Sequence, residues 1–334
     1  MKNVALALSS GGPRGFAYIG AIEVLQERGY RITSVAGSSA GALVGGIFAA
    51  GGLEPFKEWL CGLDPVQVVS LMDFAPSRNS LVKGDKVIRA IKERVPDVRI
   101  EDLPVPFAAV ASDLFTGEEV VFREGPLFTA IRASISIPSM FRPVKWRGHT
   151  LVDGGLVNTF PLDLVERSEG DILVGFNVNR IDAEGITRYM KTRAAITETG
   201  ELLRERATDR LKDTLAAEGA LLDKVRKAGR AGGRMIRERI DAGRLDRRLE
   251  AAARENNIPL DAADSYASVL QRSFGIMNHT IARLQVELYK PDILVNLPFD
   301  SYHGVYGYSH AEEIVEKGRA LMSAALDSYE AQAD

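Results

Sequence analysis

A stretch near the N-terminus decides the fold: VALALSSGGPRGFAYIGAIEVLQERGYRITSVAGSSAG, residues 4–41. Val4 to Leu8 is a short apolar run typical of a buried strand, and a glycine-rich turn follows it. Phe16 to Arg28 has apolar residues at helical spacing, and Gly29 is placed to end that helix. Ile32 to Ala36 predicts a second strand. A strand, a helix and a strand in this order indicate a parallel sheet with helices on its faces.

Later segments repeat the strand pattern. They are Phe107 to Ser112 and Glu119 to Phe122, joined by a turn at Thr116-Gly117, then Leu151-Val152, Asp171 to Val178 and Asp292 to Leu297. These segments predict one α/β domain over residues 1–330, with three layers and a largely parallel central sheet between helices.

Residues 183 to about 264 differ in composition from the rest. They are rich in Arg, Glu, Lys, Ala and Leu and have almost no strand pattern. We interpret them as a helical insertion that interrupts the domain. A solvated helical hairpin, a lid, a dimerising arm and a membrane-surface contact all remain open as its role. Lys224 to Arg248 is rich in arginine, which permits attraction to anionic lipid headgroups.

Composition excludes several classes of protein. The chain has 334 residues, of which 46% are hydrophobic and 26% charged, so it is not disordered throughout. A formal net charge of −3 gives no support for nucleic-acid binding. The single cysteine, Cys61, excludes an intrachain disulfide and a cysteine-based zinc site. The four histidines are too scattered in the sequence to suggest a metal cluster.

Two N-terminal features bear on location. Residues 1–12 do not have the pattern of a signal peptide. Val35 to Leu53 is free of charged residues, but it is rich in Gly, Ala and Ser, so we predict a closely packed buried helix rather than a membrane span. We therefore expect a cytoplasmic protein and leave a peripheral membrane association open.

The sequence Gly37-Ser38-Ser39-Ala40-Gly41 matches the pattern G-x-S-x-G between a predicted strand and a predicted helix. A tight turn there projects the Ser39 hydroxyl from the end of the sheet, and Gly37 and Gly41 remove side chains that would clash. The N-terminus of the following helix favours developing negative charge. The alternative is a turn of small residues that only permits close packing.

The loop Ser10 to Gly15 presents backbone N–H groups between a strand and a helix, an arrangement suited to an anion or oxyanion. Pro13 has no N–H, so Gly11 and Gly12 are the better donors. The rival interpretation is a dinucleotide-binding loop with Ser10 in place of its first glycine. That loop requires an acidic residue at the end of the second strand, and none is present there.

A serine nucleophile needs a base, and Asp153, followed by Gly154 and Gly155, could accept the proton directly. Asp-Gly-Gly is also a common turn sequence. A triad of Ser39, Asp153 and a histidine is the other alternative, with His279, His303 or His310 as its third member. The usual α/β-hydrolase order places several strands before the serine, whereas here one strand and one helix precede it.

Together the motifs resemble the patatin-like phospholipase family, in its bacterial group related to neuropathy target esterase. The family pattern is G-G-G-x-[RK]-G, then G-x-S-x-G, then D-G-[GA], and this chain has SGGPRG at 10–15, GSSAG at 37–41 and DGG at 153–155. The resemblance extends to residues 109–118, 133–138, 153–161 and 290–293, within roughly 1–180 and 265–325. Ser10 and the insertion depart from the family.

The resemblance implies a lipid acyl hydrolase of the phospholipase or lysophospholipase type, in which Ser39 attacks an acyl ester and Asp153 accepts its proton. Gly11 and Gly12 would form the oxyanion hole. The residues that would support these motifs are Arg14, Gly15, Gly37, Gly41, Gly154 and Gly155. Arg14 would orient the loop or an anionic headgroup, or simply face solvent.

The resemblance implies no cofactor and no metal. The implied partner is a lipid or acyl ester, without nucleic acid; peripheral membrane contact and a homo-oligomer formed through the insertion stay open. Two alternatives remain, a general carboxylesterase with the same dyad and a non-catalytic regulatory protein on this fold.

Overall fold

The computed structural model describes residues 2–71, 74–77, 80–82, 84–181, 266–299, 302 and 305–332. The predicted helical insertion, 183 to 264, lies outside these residues. Met1–Ile186 and Phe274–Asp334 form one compact unit, and Thr187–Ser273 form another. The sheet, the core and the candidate site all belong to the first unit. Of the second unit, residues 266–273 are described, and they form the start of a helix.

The described chain contains strands and helices with the following bounds. The strands are β1 (Lys2–Leu8), β2 (Tyr30–Ser38), β3 (Phe74–Ser77), β4 (Ser80–Val82), β5 (Phe107–Asp113), β6 (Glu119–Phe122), β7 (Ser139–Phe141), β8 (Val144–Trp146), β9 (His149–Asp153), β10 (Ile172–Arg180) and β11 (Ile293–Pro298). The helices are α1 (Ala17–Glu27), α2 (Ala40–Ala49), α3 (Leu53–Cys61), α4 (Pro65–Leu71), α5 (Asp85–Lys92), α6 (Leu127–Ser134), α7 (Tyr266–Tyr289) and α8 (Ala311–Glu330).

The central sheet is largely parallel, as predicted. Its strand order is β11-β10-β1-β2-β5-β9-β8, and β6 also pairs with β5. The five strands from β11 to β5 are parallel, while β6, β8 and β9 pair antiparallel with their neighbours. A separate small sheet has the order β3-β4-β7.

Both faces of the central sheet are covered, which confirms the three-layer architecture. Side chains alternate along β1, so Val4, Leu6 and Leu8 join the larger core, which includes residues of α1, α2, α6 and α8. The intervening Ala5 and Ala7 pack on the other face with a smaller group that includes Ala282 of α7. All five of these β1 side chains are fully buried, as expected for a parallel strand between two helical layers.

The predicted N-terminal elements are all present, and β2 is two residues longer at each end than the predicted strand 32–36. Gly29 follows α1 with a φ of 77°, the left-handed conformation that commonly ends a helix. The uncharged stretch 35–53 divides between β2, the ten-residue buried helix α2 and the start of α3. Among the helices that the structure describes, none is both long and apolar enough to cross a membrane.

Candidate active site

One edge of β5 brings the two candidate catalytic residues together. β2 runs parallel to β5 and ends with Ser38 opposite Val110. β9 runs antiparallel to β5 and ends with Asp153 opposite Ala111. Because β6 occupies the other edge of β5 at residues 109–112, β2 and β9 share one edge and meet end to end. The C-terminal ends of β2 and β9 therefore face each other, opposite the consecutive β5 residues Val110 and Ala111.

Ser39 lies at the turn between β2 and α2, with a φ of 52° and a ψ of −116°. A positive φ is unfavourable for a residue with a side chain and typically costs about 1–3 kcal/mol, which the surrounding structure must offset. The Ser39 N–H donates to Oγ of Ser134 at 2.8 Å. Its hydroxyl donates to Oδ2 of Asp153 at 2.6 Å. The turn thus has the strained geometry by which a nucleophilic serine is presented at the end of a sheet.

The carboxyl group of Asp153 is buried and held at both oxygens. Oδ2 accepts from the Ser39 hydroxyl, and Oδ1 accepts from the Gly155 N–H at 2.8 Å. The Asp153 backbone is also fixed, because its N–H donates to the Ser136 carbonyl and its carbonyl accepts from the Ser112 hydroxyl. Burial raises the pKa of Asp153 to about 6, and the two hydrogen bonds to the carboxylate limit this rise.

The glycine-rich loop follows β1, the strand that lies next to β2 in the sheet. Gly12 of this loop lines the same cavity as Ser39. Gly11 packs so closely on Val178 that a Cβ at Gly11 would lie 2.1 Å from a Val178 methyl carbon. Gly12 has a φ of 57°. In the described part of the chain, neither glycine N–H has a hydrogen-bond acceptor. Ser10, which departs from the family pattern, does not adopt a left-handed conformation, so the substitution leaves the loop unstrained there.

Arg14 is buried, so of the alternatives left open for it, the one in which it simply faces solvent is wrong. Its Nε donates to the Val178 carbonyl at 2.9 Å and its Nη1 to the Phe299 carbonyl at 3.0 Å. The guanidinium also lies over the Phe299 ring, 4.5 Å from the ring centroid. Since Gly11 packs on Val178, these contacts tie the loop to β10 and to the turn after β11.

The remaining glycines of the motifs lie where the backbone segments approach each other closely. A Cβ would come within 2.5 Å of Ala40 at Gly15, of the Gly41 backbone at Gly37, of the Leu8 carbonyl at Gly41 and of the Val110 carbonyl at Gly154. A Cβ at Gly155 would lie 2.9 Å from the Ser10 hydroxyl and 3.0 Å from Oδ1 of Asp153. The glycines therefore let the three motifs pack against one another.

The candidate histidines of the triad alternative have other positions. Nδ1 of His279 lies 3.2 Å from both the Asn179 carbonyl and the Ile181 N–H. His310 is exposed, and His303 lies outside the described residues. Among the described residues, the Ser39 hydroxyl donates to a carboxylate and not to an imidazole.

A largely apolar cavity of about 930 Å³, counting its open mouth, extends from Ser39. Its walls come mainly from α2, α3, α4, α5 and the segment 135–141; they include Leu43, Phe56, Trp59, Leu60, Leu63, Val68, Ile91, Ile137 and Phe141. Ser39, Gly12 and Tyr308 line it as well. Burial raises the pKa of the Tyr308 hydroxyl to about 12, which keeps that group neutral. An apolar cavity with a few polar groups is typical of a site that binds a hydrophobic small molecule.

The sequence patterns did not identify two other residues near Ser39. Ser134 belongs to a stretch that resembles the family, but nothing in its local sequence predicts a contact with Ser39, 95 residues earlier. Tyr308 lies in a short 3₁₀ helix at residues 305–310, which has no motif to mark it. Both were brought to the site by tertiary packing.

Comparisons with known proteins agree with the motifs. The family model of patatin-like phospholipases matches residues 6–165. An uncharacterized NTE family protein of Mycobacterium tuberculosis (strain ATCC 25618 / H37Rv) is 35% identical over 341 aligned residues, which cover 99% of this chain and 93% of that protein.

Two animal proteins match over a shorter region. Patatin-like phospholipase domain-containing proteins of Caenorhabditis elegans and Mus musculus are 30% and 28% identical over 193 residues, which cover 56% of this chain and 14% of each relative. The chain therefore belongs to the patatin-like phospholipase family, in its NTE group, and so to a family of lipid hydrolases.

Proposed function

We propose that this protein is a serine acyl hydrolase that cleaves acyl esters of lipids, of the phospholipase or lysophospholipase type, with Ser39 as nucleophile and Asp153 as base. The observation that carries this proposal is the 2.6 Å hydrogen bond from Oγ of Ser39 to Oδ2 of Asp153 beside an apolar cavity. A nucleophile within hydrogen-bond reach of its base is the arrangement that covalent catalysis requires.

In the acylation step, Oγ of Ser39 attacks the ester carbonyl carbon while its proton passes to Oδ2 of Asp153. The N–H groups of Gly11 and Gly12 stabilise the tetrahedral oxyanion, and the positive end of α2 adds to this effect. The intermediate collapses as the ester C–O bond breaks, and the leaving alkoxide takes the proton from Asp153. The products of this step are the free alcohol and an acyl ester of Ser39.

Deacylation uses the same groups in reverse. A water molecule gives a proton to Asp153 and attacks the acyl carbonyl carbon, and Ser39 leaves with that proton as a hydroxyl. The pKa of about 6 suits Asp153 to both steps, because a base works best with a pKa near the working pH. At pH 7 most of Asp153 is then ionised and ready to accept the serine proton.

The cavity supports a lipid acyl chain as the part of the substrate that is bound. Its walls beyond Ser39, Gly12 and Tyr308 are almost entirely aliphatic or aromatic side chains. Burying an alkyl chain there gains about 0.8 kcal/mol per methylene, so longer chains bind more tightly than short ones until the cavity is full. This favours a lipid hydrolase over a general carboxylesterase.

We also propose that residues 1–330 form one hydrolase domain that the stretch 183–264 interrupts. The support is that β10 and β11, which precede and follow this stretch, are adjacent parallel strands of one sheet.

The test is covalent labelling with a fluorophosphonate probe together with hydrolysis of defined phospholipids and lysophospholipids. We expect labelling and fatty-acid release with the wild type, and neither with Ser39→Ala. Asp153→Asn should retain the fold and lose activity. Mass spectrometry of the labelled protein should place the adduct on Ser39.

Two matched variants control for loss of a buried polar group. Ser34→Ala removes a buried serine hydroxyl from the same strand, β2, and Asp171→Asn alters a buried carboxyl that bonds to Thr33 and to the Ser168 N–H. Both should retain activity. Turnover by Asp153→Asn at the wild-type rate would refute the dyad, and labelling at a residue other than Ser39 would refute the nucleophile.

A further inference from the structure

A fully buried polar cluster lies under the glycine-rich loop. Its members are Ser9, Ser10, Tyr18 and Asn179, and each is at most 2% exposed. They come from three separate elements: the end of β1 with the loop after it, helix α1, and strand β10. Buried polar groups stabilise a structure only when they are hydrogen-bonded, so the direction of each bond shows what the cluster holds in place.

The amide of Asn179 fixes the peptide that joins Ser10 to Gly11. Its Nδ2 donates to the Ser10 carbonyl at 2.6 Å, and the Ser9 hydroxyl donates to the same carbonyl at 2.9 Å. In a trans peptide the C=O and the following N–H point in opposite directions. Holding the Ser10 carbonyl toward Asn179 therefore directs the Gly11 N–H away from Asn179.

The preceding peptide is held at both ends. The Tyr18 hydroxyl donates to the Ser9 carbonyl at 2.7 Å, and on the opposite side the Ser10 N–H donates to the Thr159 carbonyl at 2.8 Å. The Thr159 hydroxyl in turn donates to the Gly155 carbonyl at 2.8 Å. The cluster thus links the glycine-rich loop to the turn that carries Asp153.

We propose that Asn179 is a positioning residue that aims the Gly11 N–H at the oxyanion, with Tyr18 fixing the adjoining peptide. This inference rests on the proposed acyl-hydrolase function. Asn179 does not touch the reacting atoms; it acts through the Ser10–Gly11 peptide. Because an oxyanion donor must be aligned before the reaction, a small rotation of this peptide lowers the rate of the chemical step more than it lowers substrate binding.

Three variants test this role. Asn179→Leu has a similar shape without the donor, Asn179→Asp replaces the donor with an acceptor, and Tyr18→Phe removes one hydroxyl with little change in packing. For each variant we expect kcat on a medium-chain p-nitrophenyl ester to fall by at least about tenfold. This fall should be smaller than the ~10²–10³-fold loss that is typical when an oxyanion donor is removed outright. KM should stay within about threefold of the wild-type value.

A second measurement separates positioning from a structural role. An acyl trifluoromethyl ketone forms a tetrahedral oxyanion adduct with the serine, whereas a fatty alcohol only fills the apolar cavity. The variants should bind the ketone more weakly in proportion to the fall in kcat/KM, and bind the alcohol as the wild type does. Asn296→Asp is the matched control, because Asn296 on β11 accepts from Asn177 and keeps this bond as a carboxylate.

The outcomes distinguish this inference from the function on which it rests. A wild type that neither hydrolyses esters nor reacts with the fluorophosphonate overturns both. An active wild type with an unchanged kcat and ketone affinity in the folded Asn179 variants overturns the positioning role alone. A rise in KM with kcat unchanged also overturns it. If neither Asn179 variant folds, Tyr18→Phe decides, and wild-type kcat in that variant refutes the inference.

Discussion

The Ser39 N–H donates to Oγ of Ser134 at 2.8 Å, and this bond joins the strained turn after β2 to the end of α6. Ser39 is 4% exposed and Ser134 is fully buried, so water does not compete for the bond. The Ser39 N–H is thereby occupied, which leaves the glycine-rich loop and the start of α2 as sources of oxyanion donors. Ser134 thus helps to offset the unfavourable φ of Ser39.

Replacing Ser134 with alanine should destabilise the protein by about 1–3 kcal/mol, because the buried Ser39 N–H would lose its acceptor. The Ser39 turn should also become less well ordered, so kcat should fall. Urea unfolding and ester hydrolysis measure the two effects. Ser328→Ala, which removes an exposed helical hydroxyl on α8, should change neither. Wild-type stability in Ser134→Ala would contradict this role.

The activity should depend on the ionisation of Asp153. The base must be unprotonated to accept the serine proton, and burial raises its pKa to about 6. We expect kcat/KM to rise with pH, by about tenfold per unit well below pH 6, and to level off above it. A pH profile on a neutral ester measures this, with circular dichroism to show that the fold persists. A midpoint near pH 4 would contradict the effect of burial.

Asp153→Asn should be inactive yet more stable than the wild type at pH 7. The folded-state pKa of Asp153 is above the ordinary value of 3.8, so folding favours the protonated form. Its contribution to stability is therefore present below about pH 4 and is lost as the pH rises through about 6. The neutral asparagine avoids the cost of ionising a buried carboxyl group, which reaches up to about 3 kcal/mol at pH 7.

Urea unfolding of the wild type and Asp153→Asn at pH 4 and pH 7 tests this prediction. The free energy of unfolding of Asp153→Asn should exceed that of the wild type by more at pH 7 than at pH 4. Asp171→Asn serves as the control for removing a buried carboxylate that lies away from Ser39. An Asp153→Asn protein that is less stable at pH 7 would show that the carboxylate stabilises the fold.

The length of the acyl chain should set the rate on soluble esters. For p-nitrophenyl esters of increasing length, kcat/KM should rise by up to about fourfold per methylene until the cavity is full. Leu63→Trp narrows this cavity and should move the optimum to shorter chains. Leu284→Trp, at an exposed position on α7, should leave the optimal chain length unchanged. The same optimum in Leu63→Trp and the wild type would place the acyl chain elsewhere.

Local sequence patterns predicted the elements that carry the motifs. The apolar runs of β1, β2, β5, β10 and β11 are long enough to indicate strands, and helical spacing identified α1. The short strands β3, β4, β7 and β8 were missed, since three or four residues seldom establish an alternating pattern. The four-residue strand β6 was predicted because the turn at Thr116-Gly117 joins it to β5. The role of Arg14 was left undecided, because its partners Val178 and Phe299 lie far along the chain.

The sequence by itself determined the chemistry available to this protein: a serine in a strand-to-helix turn, an aspartate before two glycines, and a loop of glycine N–H groups. The tertiary structure decided how these groups meet. Ser39 and Asp153 are 114 residues apart, and their 2.6 Å contact exists because two strands end at adjacent positions on one edge of β5. The Ser134 and Asn179 contacts likewise depend on side chains packed from separate elements. Local propensity acts over a few residues, whereas such contacts form only when the whole sheet is assembled.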